Sequence, residues 1–111
     1  MVIADDVGFN YTNSNSDEAK ISSTEATTIT ISPTLSGEES SEVTISSVIV
    51  TSGSATLSQY PGSNSSEYIT SNSGSKIVFA SGIYSGTTIQ IFVSLTYNNQ
   101  TYGETIYFTV E

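Results

Sequence analysis

An all-β sandwich of about seven antiparallel strands, built as a single domain over residues 1–111, is the fold that this sequence predicts. Short runs alternate Ile, Val, Thr, Tyr and Phe with polar residues, as strands with one buried face do. Clusters of Ser, Gly, Asn and Pro separate these runs and favour turns. Leu, Ala, Glu and Lys are too sparse and scattered to form the apolar stripe of a helix.

The predicted strands follow the alternation from the first run to the last. Phe9 and Tyr11 alternate in the first run and Ile29 and Ile31 in the second, where Pro33 argues against an unbroken continuation because it lacks an N–H group. The last two runs are the longest. The seven runs are "DVGFNYT", "TTITIS", "EVTISSVIVT", "ATLSQY", "KIVFA", residues 87–97 and Gln100–Val110.

The third run changes parity partway along. Val43 and Ile45 share one parity, whereas Val48 and Val50 share the other. A shift of one residue turns the inward face of a strand outward. We therefore expect a bulge or corner at residues 46–47, which lets all four side chains face the core.

The last two runs predict a hairpin with a two-residue turn at Asn98 and Asn99, residues that tolerate the positive φ of a type I′ turn. In this register one face carries Ile89, Ile91, Val93 and Leu95 opposite Tyr102, Glu104, Ile106 and Phe108. The other face pairs Gln90 with Tyr107, Phe92 with Thr105 and Ser94 with Gly103. A lone hairpin is marginal in water, so a second sheet must cover the apolar face.

Glu104 is the one residue that conflicts with this pattern, because it has the parity of the core. An unpaired buried carboxylate costs several kcal/mol, on the order of the transfer penalties for polar groups. We expect Glu104 to lie near the open end of the sandwich, or a bulge at Gly103 to turn it toward solvent.

The charge balance and the missing residue types exclude several functions. The chain has two Lys, no Arg, no His, no Cys and eleven acidic residues, for a formal net charge of -9. Nucleic-acid binding requires clustered cations, and a membrane-spanning helix requires roughly 18 consecutive apolar residues. The sequence has neither feature, so we predict no nucleic-acid partner and no membrane insertion. Without His or Cys, the usual nucleophilic dyads and imidazole or thiolate metal sites are excluded. We predict a protein that is not an enzyme and that carries no cofactor.

Calcium is the one ion that the sequence leaves open, since it needs only oxygen ligands. The stretch "NSNSDE" spaces oxygen-bearing side chains at alternate positions. Against a calcium loop, no Gly follows at the sharp turn, and Thr24 stands where a twelfth-position Glu is expected. The alternative is a mobile polar loop over residues 13–25, similar to a second loop at residues 61–68. The candidate ligands are Asp5, Asp6, Asn13, Asn15, Asp17 and Glu18.

Tyrosine offers a second candidate site, for carbohydrate. The chain has seven Tyr and no Trp, more Tyr than a small core is expected to hold. An exposed Tyr can stack against a sugar and hydrogen-bond it, because it has an apolar ring and a polar tip. The alternative is that β-propensity alone explains these residues. The candidates are Tyr60, Tyr68, Tyr84 and Tyr107.

The closing stretch "GTTIQIFVSLTYNNQTYGETIYFTV" resembles the end of bacterial immunoglobulin-like modules, with Asn98 and Asn99 in place of the usual turn Gly and Gln100 in place of a Lys. The resemblance covers about the last quarter of the chain. It implies an immunoglobulin-like fold and a non-catalytic structural or adhesive role, at a bacterial cell surface or in a phage tail. The expected partners are neighbouring domains of a longer chain, a glycan or a surface protein. A carbohydrate-binding module and a calcium-stabilised extracellular spacer are the alternatives.

Some modules of this family form a crosslink between Lys and Asn beside an acid. The resemblance therefore raises the alternative that Glu104 lies beside Lys20 or Lys76 in the core. Lys20 lies in a predicted loop and Lys76 precedes a strand, so neither is expected to point inward.

Overall fold

Nine strands form the part of the chain that the structure describes. The structure is a computed structural model and describes residues 9–33, 43–62, 68–73, 75–97 and 99–111. The expected count of seven is wrong, because two short strands join those predicted. The strands are β1 (Phe9–Asn13), β2 (Lys20–Ile21), β3 (Thr27–Pro33), β4 (Thr44–Ser52), β5 (Ala55–Tyr60), β6 (Ile69–Ser73), β7 (Lys76–Phe79), β8 (Thr88–Tyr97) and β9 (Gln100–Val110).

The strands form two sheets that pack face to face. One has four strands in the order β1-β3-β7-β6, and the other has five in the order β2-β9-β8-β4-β5. All pairings are antiparallel except that of β2 with β9, which is parallel. The order β1-β3-β7-β6 corresponds to the A-B-E-D sheet of the immunoglobulin fold, and the order β9-β8-β4 corresponds to its G-F-C sheet. The predicted sandwich is therefore confirmed.

Alternate side chains of both sheets fill the space between them. Each of the central strands β3, β7 and β8 places every second residue in the core, as the pleat requires. The side chains exposed by less than 2% include Phe79, Phe108, Ile29, Ile77, Ile89, Ile91, Val48, Val50, Val93 and Val110. Burying each such side chain contributes about 1.5–3 kcal/mol. Within the described residues, every buried side-chain nitrogen or oxygen has a hydrogen-bond partner.

The expected bulge in β4 is confirmed. Ile45 pairs with Val93 and Ser47 with Phe92, so Ser46 is the extra residue opposite β8. Both pairs of apolar residues in this segment, those before and those after the bulge, are buried. The extra residue thus restores the inward face that strict alternation would lose.

The predicted hairpin register is confirmed along its whole length. Ten consecutive pairs run from Thr88 opposite Thr109 to Tyr97 opposite Gln100. Asn99 has a φ of 64°, the left-handed conformation that a type I′ turn needs and that Asn tolerates. Asn98 lies outside the described residues.

The segment predicted as a mobile loop at residues 13–25 contains an anchor instead. Ile21 has no exposed surface, and as part of β2 it pairs with Val110 at the end of β9. The loop that follows is held by Ser22, whose Oγ accepts the backbone N–H groups of Thr24 and Glu25 at 3.1 and 3.0 Å. Of the second predicted loop, residues 63–67 lie outside the described residues.

An aromatic contact joins the two sheets along one side. Tyr11 of β1 has the inward parity of its sheet, since it pairs with buried Ile31. Its ring meets Phe108 of β9 edge to face, with ring centroids 5.0 Å apart and an interplanar angle of 79°. Such a pair contributes about 0.5–1.5 kcal/mol beyond the buried area, so it helps to close the sandwich between β1 and β9.

The bulge predicts that β4 tolerates the deletion of one residue. Deletion of Ser46 leaves every other pair of β4 with β8 in register and produces regular alternation. We therefore expect the variant to fold, with a loss of about 1 kcal/mol in the free energy of unfolding, within the usual range for point changes. Urea denaturation followed by circular dichroism measures this loss.

Deletion of Gln90 is the matched control, because it also removes one polar residue from a strand. It turns Ile91, Val93 and Leu95 out of phase with the core. We expect no folded protein, because the lost burial, at about 1.5–3 kcal/mol each, is comparable to the stability of a small domain. Equal losses in both variants would contradict the assigned role of the bulge.

Candidate functional site

The structure separates the four candidate tyrosines into two pairs. Tyr107 and Tyr84 are 63% and 74% exposed. The expectation of exposure is wrong for Tyr68, which is buried, and for Tyr60, which is half-buried and packs against the core.

Tyr60 and Tyr68 are buried or half-buried because both lie at edge strands and pack against the core. Tyr60 ends β5, an edge strand, and its parity is inward because it pairs with buried Val48. Tyr68 directly precedes β6, the edge strand of the other sheet, and its carbonyl oxygen accepts the N–H group of Ala80 at 2.8 Å. Both side chains thus cover the core rather than forming a site.

Tyr107 belongs to the outward face of the five-stranded sheet, which we call the outer face. The pairing registers arrange this face in rows that cross β9, β8, β4 and β5. One row holds four threonines, and the next places Tyr107 beside Gln90. The rows are Thr109, Thr88, Thr51 and Thr56; Tyr107, Gln90, Ile49 and Gln59; Thr105, Phe92 and Ser47; and Gly103, Ser94 and Thr44.

Phe92 is a second exposed aromatic residue on the outer face, and the candidate site did not include it. It is 40% exposed and pairs with Thr105, one step along β9 from Tyr107 on the same face. The hairpin register already gave Phe92 this outward parity. The sequence therefore contained the signal for Phe92, but the candidate residues were all tyrosines.

The ring of Phe92 lies over Gly103. A Cβ atom on Gly103 would be 2.9 Å from Cζ of Phe92 and 3.4 Å from Cε1, closer than real side chains allow. The aromatic ring therefore fills the place of the missing side chain, as aromatic residues do across from a strand glycine. This contact holds Phe92 against the sheet.

Hydroxyl pairs fix other parts of the outer face. The Oγ atoms of Ser46 and Ser94 are 3.1 Å apart, and the Oγ1 atoms of Thr96 and Thr101 are 3.4 Å apart. Ser94, Thr96 and Thr101 stand on regularly paired strands, and Ser46 is the bulge residue of β4. These contacts hold the four hydroxyl groups in place before any ligand arrives.

The described strand residues of the outer face include no carboxylate. Lys20 is the only charged residue among them and lies at the margin, where β2 pairs with Thr109. The described acidic side chains are all exposed and stand outside these strand positions: Asp17, Glu18, Glu25, Glu104 and Glu111. Glu111 directly follows β9 with the parity of Thr109, and its N–H donates to the carbonyl of Ile21 at 3.0 Å, so it lies at the same margin as Lys20. The protein thus combines a strong negative charge with a neutral sheet surface.

The candidate calcium loop is held by its own hydrogen bonds. The side-chain amide of Asn13 donates to the carbonyl oxygens of Glu18 and Lys20 at 3.0 and 2.9 Å. The amide of Asn15 donates to the carbonyl oxygens of Asp17 and Lys20 at 3.2 and 3.1 Å, and to Oε2 of Glu111 at 3.1 Å.

The carboxylate of Asp17 is also engaged, because its Oδ1 accepts the N–H group of Ala19 at 3.0 Å. Among the described residues, no group of three or more acidic side chains is close enough to hold a metal. Asp5 and Asp6, the other two predicted ligands, lie outside the described residues. The geometry favours a self-paired loop over a metal site.

Glu104 is exposed although it opposes buried Val93. The ladder passes Gly103 without a register shift, so the predicted bulge is wrong. The expected position near the open end fits, since the inward residues of β9 are half-buried or exposed at Tyr102 and Glu104 and buried at Ile106 and Phe108. β2 flanks only Thr109 and Val110 at the far end of β9.

The groups of the suggested Lys-Asn crosslink are not gathered in the core. Glu104 and Lys76 are exposed, and Lys20 is half-buried at the margin of the outer face. A buried acid beside a buried amine is what such chemistry needs. These positions do not provide that environment.

No protein-family model, no curated protein and no solved structure matches this chain. The described residues include no helix of the length and apolarity needed to cross a membrane.

The Phe92 and Gly103 contact predicts coupled mutations. Phe92→Ala should lower the free energy of unfolding by about 1 kcal/mol, because a cross-strand aromatic contact is lost. In a Gly103→Ala background the same change should cost about 0.5 kcal/mol less, since the added Cβ has already displaced the ring. Tyr107→Ala is the control, and its cost should be the same in both backgrounds. Additive costs for Phe92 and Gly103 would contradict the contact; urea denaturation measures all of them.

The self-paired loop predicts that calcium does not change the melting temperature of the protein. We expect thermal melting in millimolar calcium and in a chelator to agree within about 1 °C. A ligand stabilises only by binding the folded state, and Oδ1 of Asn13, Oδ1 of Asp17 and the loop carbonyls already accept hydrogen bonds. A rise of several degrees with calcium would contradict this and would bring Asp5 and Asp6 into a site.

Proposed function

We propose that this protein is a non-catalytic structural and adhesive module that acts outside the cell, at a bacterial surface or in a phage tail. The resemblance of its last hairpin to bacterial immunoglobulin-like modules supports this role. The strong negative charge supports it as well, since like charge keeps densely displayed copies soluble and apart.

The observation that carries the structural role is the path of the chain through the sandwich. β1 begins at Phe9, which pairs with Pro33 at the end of β3. Beyond β1, the amide of Asn15 reaches Glu111, the residue after β9. The first and last long strands therefore run toward the same end of the sandwich.

The start of β1 and the end of β9 therefore lie at opposite ends of the sandwich. The N–H of Gly86 donates to the carbonyl of Val110 at 2.8 Å, so β9 ends beside the segment that precedes β8. The turn between β8 and β9 and the start of β1 lie at the opposite end. The eleven residues of β9 span roughly 36 Å at about 3.3 Å each, which exceeds the two shorter dimensions of 28 and 23 Å, so the strands follow the 45 Å dimension. A module with this path extends a chain along that dimension.

Carbohydrate binding is a second candidate function, and a specific observation favours it. Tyr107 and Phe92 are exposed on the uncharged outer face, amid hydroxyl and amide side chains. An adhesive module needs a surface of this kind, whereas a pure spacer does not. The two functions are compatible, because the outer face lies along the side of the sandwich and leaves both ends free.

The structural role predicts how fused copies behave. Chains of two and three copies joined end to end should lengthen by about the long axis of 45 Å per added copy, as measured by small-angle X-ray scattering. The control is a two-copy chain with a Gly/Ser linker of about 20 residues, which behaves as a flexible coil and should give a broad distance distribution. Growth close to the short axes would mean side-by-side packing and would contradict linear extension.

A further inference from the structure

We propose that the outer face, centred on Phe92 and Tyr107, binds a neutral polysaccharide. This inference specifies the adhesive part of the proposed function and rests on it. It is independent of the linear extension of the chain.

Phe92 and Tyr107 together are what we call the aromatic platform. Tyr107 pairs with Gln90 and Phe92 pairs with Thr105, so the two residues are diagonal neighbours on adjacent strands, with Cα atoms about 7–8 Å apart. The Phe92 ring leans toward Gly103, on the side away from Tyr107, so the two rings offer two separate stacking positions. Tyr107 and Phe92 are 63% and 40% exposed. The apolar faces of sugar rings can stack on such a platform, because stacking removes apolar C–H surface from water.

The side chains around the platform suit hydroxyl groups. Gln90 and Gln59 lie in the same row as Tyr107, and Thr105 and Ser47 flank Phe92. Amide and hydroxyl side chains both donate and accept hydrogen bonds, as sugar hydroxyls do. Because these side chains carry no charge, they do not require a charged ligand.

The charge distribution selects a neutral sugar over an anionic one. Lys20 is the only cation at the margin of the outer face within the described residues, and the formal net charge is -9. An anionic polysaccharide would be repelled as it approached. A cationic ligand would instead be drawn to the exposed carboxylates, none of which stands on a described strand position of this face.

A second copy of the chain is a poorer occupant. Stable protein interfaces bury about 800 Å² per partner around an apolar core, and the described residues of the outer face offer only two rings and a half-buried Ile49 for such a core. Two copies would also bring their full negative charges together. A polysaccharide needs less apolar area, because each sugar contacts one ring and its polar neighbours.

The backbone beneath the platform is fixed before binding. Both aromatic residues stand on strands of the ten-pair hairpin, and the Phe92 ring lies against Gly103. Binding to fixed groups loses less conformational entropy than binding to mobile loops. Flexible loops at the ends of the sandwich would not give this advantage.

The test is a titration of the full chain with six-sugar oligomers of cellulose, xylan, mannan, chitin, amylose and β-1,3-glucan, followed by amide NMR shifts. At least one oligomer should shift the amides of residues 90–92 and 105–107. Failure of all six at millimolar concentration would overturn the proposal, as would shifts confined to the loop of Tyr84 or tighter binding of an acidic oligogalacturonate. Sedimentation of the free protein should show a monomer; a dimer that protects the outer face would also overturn it.

Variants separate the platform from general aromatic contacts. Tyr107→Ala should weaken binding of the best oligomer at least about fivefold, the loss expected from removing one stacking ring. Gln90→Ala, which leaves Phe92 and Gly103 in contact, should also weaken it. Tyr84→Ala removes an aromatic side chain that is 74% exposed but lies off the outer face, and the dissociation constant should stay within about twofold. Equal effects of Tyr84→Ala and Tyr107→Ala would overturn the site. Loss of sugar binding would leave the lengthening of fused copies unchanged, so the two proposals fail separately.

Discussion

The pairing of β8 with β9 is the constraint on which the rest of the structure depends. A turn with Asn99 in the left-handed conformation starts a ladder of ten pairs. Because side chains alternate, this one register decides which residues enter the core and which form the outer face. A slip of one residue would exchange the two sets. The hairpin therefore gives one side to the core that stabilises the sandwich and the other side to the surface proposed to bind sugar, and a change of register would alter both.

The sequence predicted those parts of the fold whose signals are local. The alternation of β8 and β9 and the change of parity in β4 are visible within a dozen residues, and both predictions are confirmed. β2 and β6 carried no such signal. A strand of two residues cannot alternate, and β6 has a single apolar side chain in "ITSNS". These strands exist because Ile21 meets Val110 and Ile69 meets Phe79, contacts between distant residues that no local pattern contains.

The candidate site was predictable where parity was known. Tyr107 lies in the hairpin, and its exposure follows from its register. Tyr68 lies between predicted strands, where no parity could be assigned, and it proved to be buried. The spacing of Asn13, Asn15 and Asp17 suggested ligands for calcium. Spacing cannot tell whether an amide offers its oxygen to an ion or its N–H groups to nearby carbonyls, and here the N–H groups are used.

The shortness of β2 has a consequence for how the protein behaves in concentrated solution. β2 covers only the last two residues of β9, so from Gln100 to Phe108 the outer edge of β9 has no strand partner among the described residues. An open edge of this length is a template for fibre growth. Glu104 stands in its middle, and the net charge of -9 repels an approaching copy. Salt screens such repulsion, with a screening length of about 10 Å at 0.1 M. A higher ionic strength therefore weakens the repulsion that keeps this edge from pairing with another copy. The colloidal stability of the protein depends on charge as well as on the fold.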